Sequence, residues 1–195
     1  MIEHSVYQPL LDRIDALLKT ETPIYVAIDG DAAAGKSSLA SCLHKTYGCN
    51  VIPMDHFFLQ SHQRTETRLA EPGGNVDYER FKAEVQTPLL RSEAFSYRPF
   101  NCQIGKLGDS VDIIEKRLNV IEGAYSLHPT LADMYHIKVF CTISAEEQLR
   151  RIEARNGEIL RERFRREWIP MEKRYFAAFD IQNQCDFIFG EESDS

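Results

Sequence analysis

No apolar run in this chain is long enough to span a membrane as a helix, which sets membrane proteins of that kind aside. Basic charge is also in short supply. Against 30 acids stand 23 lysines and arginines, a net charge of −7, and so acidic a protein makes a poor general surface for nucleic acid. Cysteine is present but unpatterned: Cys42, Cys49, Cys102, Cys141 and Cys185 are odd in number, widely spaced and form no Cys-x-x-Cys pair. They read as buried reduced thiols and not as a disulfide framework or a zinc site. The histidines show no ligand spacing either. Internal repeats and low-complexity tracts are missing, which excludes solenoids and linkers. Met1-Ile2-Glu3-His4 carries an acid where a secretory signal needs basic residues ahead of a long apolar stretch. These absences point to a cytoplasmic protein with neither membrane nor nucleic acid among its partners, and leave monomer and homo-oligomer equally open.

What is present is a chain of ordinary composition, 43% hydrophobic and 27% charged over 195 residues, enough to bury the core of one domain spanning 1–195. Val6, Leu10, Leu11, Ile14, Leu17 and Leu18 recur at helical spacing and predict an amphipathic helix ending near Thr22-Pro23. Ile24-Tyr25-Val26-Ala27-Ile28 is short, apolar and rich in β-formers, and predicts a buried strand. Further runs of strand length lie at 50–53, 118–121, 137–142 and 185–189, separated by helical stretches at 37–47, 78–90, 145–155 and 158–179, the last kinked at Pro170. This alternation predicts an α/β three-layer sandwich with a mostly parallel five-stranded sheet. Glu71-Pro72-Gly73-Gly74-Asn75 is the strongest turn signal, and the acidic tail Glu191–Ser195 is expected to fray.

Between the first strand and the following helix stands Gly30-Asp31-Ala32-Ala33-Ala34-Gly35-Lys36-Ser37, the pattern Gly-x4-Gly-Lys-Ser. Its glycines let the backbone turn tightly and bring successive N–H groups up to phosphate oxygens, and the helix that opens there aims its positive end at the same anion. Gly30 to Ser38 are therefore expected to hold ATP, with Lys36 reaching the β and γ phosphates as a catalytic cation and the Ser37 hydroxyl a ligand of Mg²⁺. The setting, strand then loop then helix, is that of the P-loop fold. A GTPase switch is excluded, because the guanine-reading Asn-Lys-x-Asp and the switch Asp-x-x-Gly are both missing.

Ligands of open α/β sheets collect at the carboxyl ends of the strands. Asp55 follows Val51-Ile52-Pro53-Met54 and Glu122 follows Leu118-Asn119-Val120-Ile121. An acid at such a place holds Mg²⁺ or accepts a proton from an attacking hydroxyl. Seven arginines against three acids between Arg150 and Arg166 form a basic island suited to a helical lid over phosphates, at about 150–167, with Asn156-Gly157 as its hinge. Glu158/Glu162, Glu162/Arg166 and Arg163/Glu167 fall four apart, which also fits a solvated helix face. The stripe Trp168, Tyr175, Phe176 and Phe179 reads as core.

Set beside the phosphate loop are Met54-Asp55-His56-Phe57-Phe58, Pro72-Gly73-Gly74-Asn75-Val76-Asp77, Val120-Ile121-Glu122-Gly123-Ala124-Tyr125-Ser126-Leu127-His128-Pro129 and Glu167-Trp168-Ile169-Pro170. Spread from Ile24 to about Phe179, this set resembles the uridine kinase and phosphoribulokinase branch of the P-loop kinases. The resemblance implies that Asp55 is the base for the acceptor hydroxyl and lies near the metal, and that Glu122 assists Mg²⁺. It implies further that Asp77 holds a ribose hydroxyl, Tyr97 lies near the nucleobase, and Arg155 is the lid arginine on phosphate. Two positions depart from the pattern. Cys102 stands where uridine kinases carry a histidine five residues after the tyrosine, and Arg155-Asn156-Gly157 replaces the lid's Arg-Gly-Arg. Arg64 and Arg68 fit an acidic acceptor and a solvated surface equally well. The implied activity is ATP-dependent phosphorylation of a hydroxyl on a small-molecule substrate, with a nucleoside favoured. Another ribosyl, sugar-phosphate or vitamin-like alcohol is the alternative, and a nucleotide-responsive module without turnover is a further one, disfavoured because Lys36, Ser37, Asp55 and Glu122 are all retained.

Overall fold

A computed structural model describes residues 4–190; the expectations made for Met1–Glu3 and for Glu191–Ser195 fall outside that range. Strand β1 (Ile24–Gly30) is buried at every position, because it is the middle strand of the sheet. β2 (Asn50–Pro53), β3 (Leu118–Glu122), β4 (Ile137–Thr142) and β5 (Phe187–Gly190) join it in the order β2-β3-β1-β4-β5. Every pairing in this five-stranded sheet is parallel, one step beyond the mostly parallel expectation. The register pairs Ile28 with Glu122, Pro53 with Glu122 and Gly30 with Cys141, so the carboxyl ends of β1, β2, β3 and β4 share one edge. The chain leaves β1 for β2 and β3 on one side and then crosses to β4 on the other, and that switch in direction opens a crevice above β1.

Alternation along β1 divides the core. Ile24, Val26 and Ile28 face α1 (Gln8–Thr20) and α2 (Lys36–Tyr47), whose Leu10, Leu11, Ile14, Leu39 and Leu43 complete that layer. Tyr25 and Ala27 face the opposite layer, built from Phe81, Val85 and Leu89 of α3 (78–90), Tyr175 and Phe176 of α5 (158–179), and Tyr125, Leu127 and Tyr135. Helix α4 (Ala145–Asn156) links β4 to α5. The expected stripe of α5 is core at Tyr175 and Phe176, whereas Trp168 packs edge-on against Phe164 near the surface.

The first helix begins at Gln8, not Val6, since Pro9 sits in its opening turn, and Val6 lies exposed in a 3₁₀ turn ahead of it. The last strand starts at Phe187 in place of Cys185. In both α3 and α5 a π turn, Lys82–Gln86 and Phe164–Trp168, precedes a proline, Pro88 and Pro170, by two residues. A proline donates no backbone hydrogen bond and crowds the carbonyl four residues back, and the wider turn absorbs both defects without ending the helix. The expected kink at Pro170 takes this form. Two short antiparallel ladders, Phe95–Tyr97 with Val111–Ile113 and Phe100–Asn101 with Lys106–Leu107, were not anticipated by hydrophobic pattern. The cysteines are all free, but Cys102 is exposed in the turn of the second ladder, against the expectation of buried thiols. Among the described residues no helix is long and apolar enough to cross a membrane.

Candidate active site

The loop between β1 and α2 is shaped by its two glycines for different reasons. Gly30 lies so close to β4 that a Cβ on it would meet the Cys141 carbonyl oxygen at 2.0 Å, whereas Gly35 has open space around it and needs glycine for its φ of +97°. Ala33 takes φ +63° without being glycine. Gly35 is also the N-cap of α2 and brings no side chain to cap it, and the first helical bond runs from Leu39 N–H to Gly35 O. The N–H groups of Lys36, Ser37 and Ser38 therefore stand unpaired within the helix at its positive end, which is an anion site by construction.

Lys36 folds back over this loop, its Nζ donating to the carbonyls of Gly30 and Asp31 at 2.7 Å each. The Ser37 hydroxyl lies 3.2 Å from both oxygens of Glu122, at the end of β3. Burial raises the Glu122 carboxyl above its ordinary value and the charge of Asp55 adds to the rise, while Ser37 and Lys36 oppose it. Asp55, in the 3₁₀ turn Met54–Phe57 after β2, is open to solvent on its outer side. Protein crowds it on the others, and the resulting desolvation raises its carboxyl too, against the pull of Lys36, His56 and Arg155. Ser37, Glu122, Asp55 and Lys36 thus lie together at one edge of the sheet. The oxygens of Ser37, Glu122 and Asp55 make a hard donor set of the kind Mg²⁺ takes, one or two carboxylates with the remaining positions left to phosphate and water. In keeping with so sparse a set, the described residues hold no cluster of three or more His, Cys, Asp or Glu able to cage a metal.

The other candidates are placed as follows. Asp31 is buried, with Oδ1 2.8 Å from Lys173 Nζ and Oδ2 accepting from Thr142 at 3.3 Å; the lysine contact is an ion pair without hydrogen-bond alignment. Asp77 is the N-cap of α3 and is nearly enclosed, accepting from the Arg80 N–H at 3.0 Å and from Gln63 Nε2 at 2.7 Å. Tyr97 is buried beside Phe57, with its hydroxyl 2.9 Å from His56 Nδ1, and burial pushes that phenol up to about 12. Desolvation holds His56 below its usual range, against the pull of Asp55. Arg64 is exposed, its one hydrogen bond among the described residues a 3.5 Å approach to Asn75 Oδ1. Arg68, by contrast, is committed to Glu79 at 2.7 Å, to Tyr78 and to two carbonyls. Cys102 feels the charges of both Asp55 and Arg64, which puts the turn of the second ladder near Asp55.

In the basic island six arginines are paired with carboxylates: Arg150 and Arg151 with Glu147, Arg161 with Glu153, Arg163 with Glu167, and Arg165 and Arg166 with Glu162. Arg155 has no carboxylate partner among the described residues, donates to Asn156 at 2.8 Å, and is near enough to Asp55 to lower it. Gly157, between α4 and α5, has φ +81° and nothing within 4 Å of the place a Cβ would take.

Sequence reading missed Asp29. Wholly buried in β1, it accepts from the N–H groups of Gly30 and Tyr125 through Oδ1, and from the Leu127 N–H and the Tyr175 hydroxyl through Oδ2. It ties the strand before the phosphate loop to the segment after Glu122 and to α5. A signal existed in an acid one residue before the loop's first glycine, inside an apolar run. Glu172 and Gln148, which reach the loop from helices, left no such trace.

Searches by sequence find no match for this chain, either among family models or among curated proteins. Solved structures do resemble it. The "Possible Uridine Kinase" of Bacillus stearothermophilus superposes with a TM-score of 0.66 at 19% identity, over 93% of this chain and 100% of that one. D-glycerate 3-kinase from Cryptococcus neoformans var. grubii matches at TM-score 0.60 and 13% identity, over 86% of each chain. YFH7 from Saccharomyces cerevisiae, a P-loop-containing kinase candidate with a circular permutation, matches at TM-score 0.60 and 12% identity over 98% of this chain and 99% of that one. At such identities the likeness establishes the fold, the α/β P-loop type found in kinases.

Proposed function

We propose that this chain is an ATP-dependent small-molecule kinase that transfers the γ-phosphoryl group to a hydroxyl, with a nucleoside as the favoured acceptor. The observation that carries this reading is the meeting of the Ser37 hydroxyl with both Glu122 oxygens at 3.2 Å, on the same sheet edge as Lys36 and Asp55. A nucleotide-binding module needs the loop and the lysine; it has no use for a second, solvent-open acid beside them. The preference for a nucleoside draws on the motif resemblance and on the likeness to the "Possible Uridine Kinase" fold. The kinase would be a single domain, 1–195, with the lid at about 150–167 turning on Gly157.

Mg²⁺, held by Ser37 and Glu122 with Asp55 close by, would supply charge neutralisation at the β and γ phosphates. The loop's free N–H groups cradle the phosphates, and Lys36 exchanges its carbonyl partners for their oxygens. Asp55 orients the acceptor hydroxyl and takes its proton at a carboxylate oxygen; desolvation, by raising its proton affinity, suits it to that task. Arg155, the island's one guanidinium without a carboxylate partner among the described residues, closes on the phosphates and excludes water. Asp77 would receive a ribose hydroxyl only by exchanging the amide of Gln63.

An ATP-consumption assay across nucleosides, sugars, sugar phosphates and vitamin-like alcohols tests the reading. ADP formation dependent on one of these acceptors is expected. Nucleotide binding with no acceptor-dependent turnover across the panel overturns it in favour of the module.

A further inference from the structure

The Ala32 peptide, in the middle of the phosphate loop, is gripped on both sides. Its N–H donates to Glu172 Oε2 at 3.1 Å, and its carbonyl accepts from Gln148 Nε2 at 3.0 Å. On either side of it, Asp31 is held by Lys173 and Thr142, and the Ala33 carbonyl lies 3.3 Å from Arg151. Three consecutive loop residues are therefore fastened from outside by α4, α5 and β4. The two that grip Ala32 have little freedom to leave, since Gln148 is 2% exposed and Glu172 7%. An amide that donates to Glu172 is not offered to a phosphate; its work is to hold the loop's curvature for its neighbours.

Resting on the kinase reading, we infer that Glu172 is a positioning residue for nucleotide, acting through the Ala32 peptide to fix the phosphate loop in its anion-holding shape. Burial pushes this carboxyl up to about 7; Lys36 opposes the rise, and Asp31 and Asp29 add to it. Tyr125 and, on its own helix, Lys173 and Arg174 are the other ionisable groups around it. The sign of the consequence follows from charge. An anionic polyphosphate is held best beside a neutral carboxyl, so nucleotide affinity falls as pH rises through the range in which Glu172 ionises. By reciprocity, binding raises the proton affinity of Glu172.

The test compares ADP affinity in the wild type, Glu172→Gln and Glu172→Ala at about one unit either side of pH 7. Glutamine keeps an oxygen for the Ala32 N–H and carries no charge. It is expected to bind like the wild type at the lower pH and roughly threefold or more tighter at the higher. The nucleotide's own titration is common to both proteins and cancels in the difference. Alanine, equally uncharged, is expected to bind about tenfold more weakly than glutamine at both pH values, the cost of a lost hydrogen bond to the Ala32 peptide, and so more weakly than the wild type at the lower pH. Wild-type affinity in folded Glu172→Ala, or an unchanged pH slope in Glu172→Gln, overturns the inference. Should the alanine variant not fold, the glutamine comparison decides. A readout free of nucleotide is the Ala32 amide resonance, expected to titrate near 7 in the wild type and to stay flat in Glu172→Gln; a flat wild-type resonance also overturns it. Wild-type ADP affinity in Lys36→Ala would instead strike the kinase reading itself.

Discussion

Gly123 lies against Asp55: a methyl built on its Cα would stand 3.6 Å from Asp55 Oδ1 and 3.0 Å from Met54 Cβ. The residue that follows Glu122 on β3 is thereby packed most tightly on Met54, the neighbour that carries Asp55 into place. Its φ of +131° is one that side-chain-bearing residues rarely adopt. Gly123→Ala is expected to cost about 1–3 kcal/mol in strain, measured by urea unfolding. It should also lower kcat by about tenfold or more with the KM for ATP little changed, because the added Cβ presses on Met54, whose neighbour is the proposed base Asp55, and not on the phosphate loop. A variant of wild-type kcat would show that Asp55 tolerates the shift.

Asp55→Asn removes the proton acceptor and keeps the shape. The expected outcome is retained ATP binding with phosphoryl transfer reduced by about 10²–10⁴, the usual contribution of a general base. Full activity in this variant would refute the assignment.

The ion pairs of the basic island separate two arginines that look alike in sequence. Arg150 is paired with Glu147 and points to solvent, whereas Arg155 has no carboxylate partner among the described residues and acts on Asp55. Arg155→Ala is expected to slow transfer by about 10² or more, on the scale of a lost phosphate-stabilising arginine, and Arg150→Ala to change it by less than about twofold. Steady-state rates at saturating ATP distinguish them, and equal losses would count against Arg155 as the phosphate contact.

Tyr175→Phe takes one of four donors from the wholly buried Asp29. A donor lost from a buried carboxyl group costs about 1–3 kcal/mol, which urea unfolding would register. Nucleotide affinity should fall with it, since Asp29 ties β1 to the segment after Glu122 and to α5.

Glu172 also leaves a mark on stability. Its carboxyl rises from an ordinary 4.5 to about 7 on folding, so the folded protein binds the proton more tightly than the unfolded chain does. That contribution is complete below about pH 4.5 and is lost as pH rises through about 7, on the order of 3 kcal/mol in all. Unfolding free energies measured across this window should decline in the wild type more steeply than in Glu172→Gln. Parallel curves would mean that the group ionises alike in both states.

Much of the site was legible because local chemistry and local order coincide there. The loop from Gly30 to Ser37 is contiguous, and its residue types are dictated by backbone approach to phosphate. Asp55 and Glu122 were visible because parallel strands end at a common edge, so an acid just past an apolar run has a predictable address. Arg155 could be named only by resemblance, since seven arginines in one segment carry no mark of which are paired. Pattern reading failed at the ladders around Tyr97 and Cys102, whose strands are two or three residues long, too short for alternation to register.

By itself, then, the sequence determined the sheet, the phosphate loop and the acids beside it, because strand periodicity, glycine spacing and strand ends are properties of neighbours along the chain. Only the tertiary structure decided that Asp29 is buried among four donors, that Arg155 alone in its segment lacks a carboxylate partner among the described residues, and that Glu172 and Gln148 hold Ala32. Those facts depend on residues 96 to 146 positions apart for Asp29's long-range partners and 116 to 140 for Ala32's. Desolvation and pairing over such separations arise from packing, which no local pattern records.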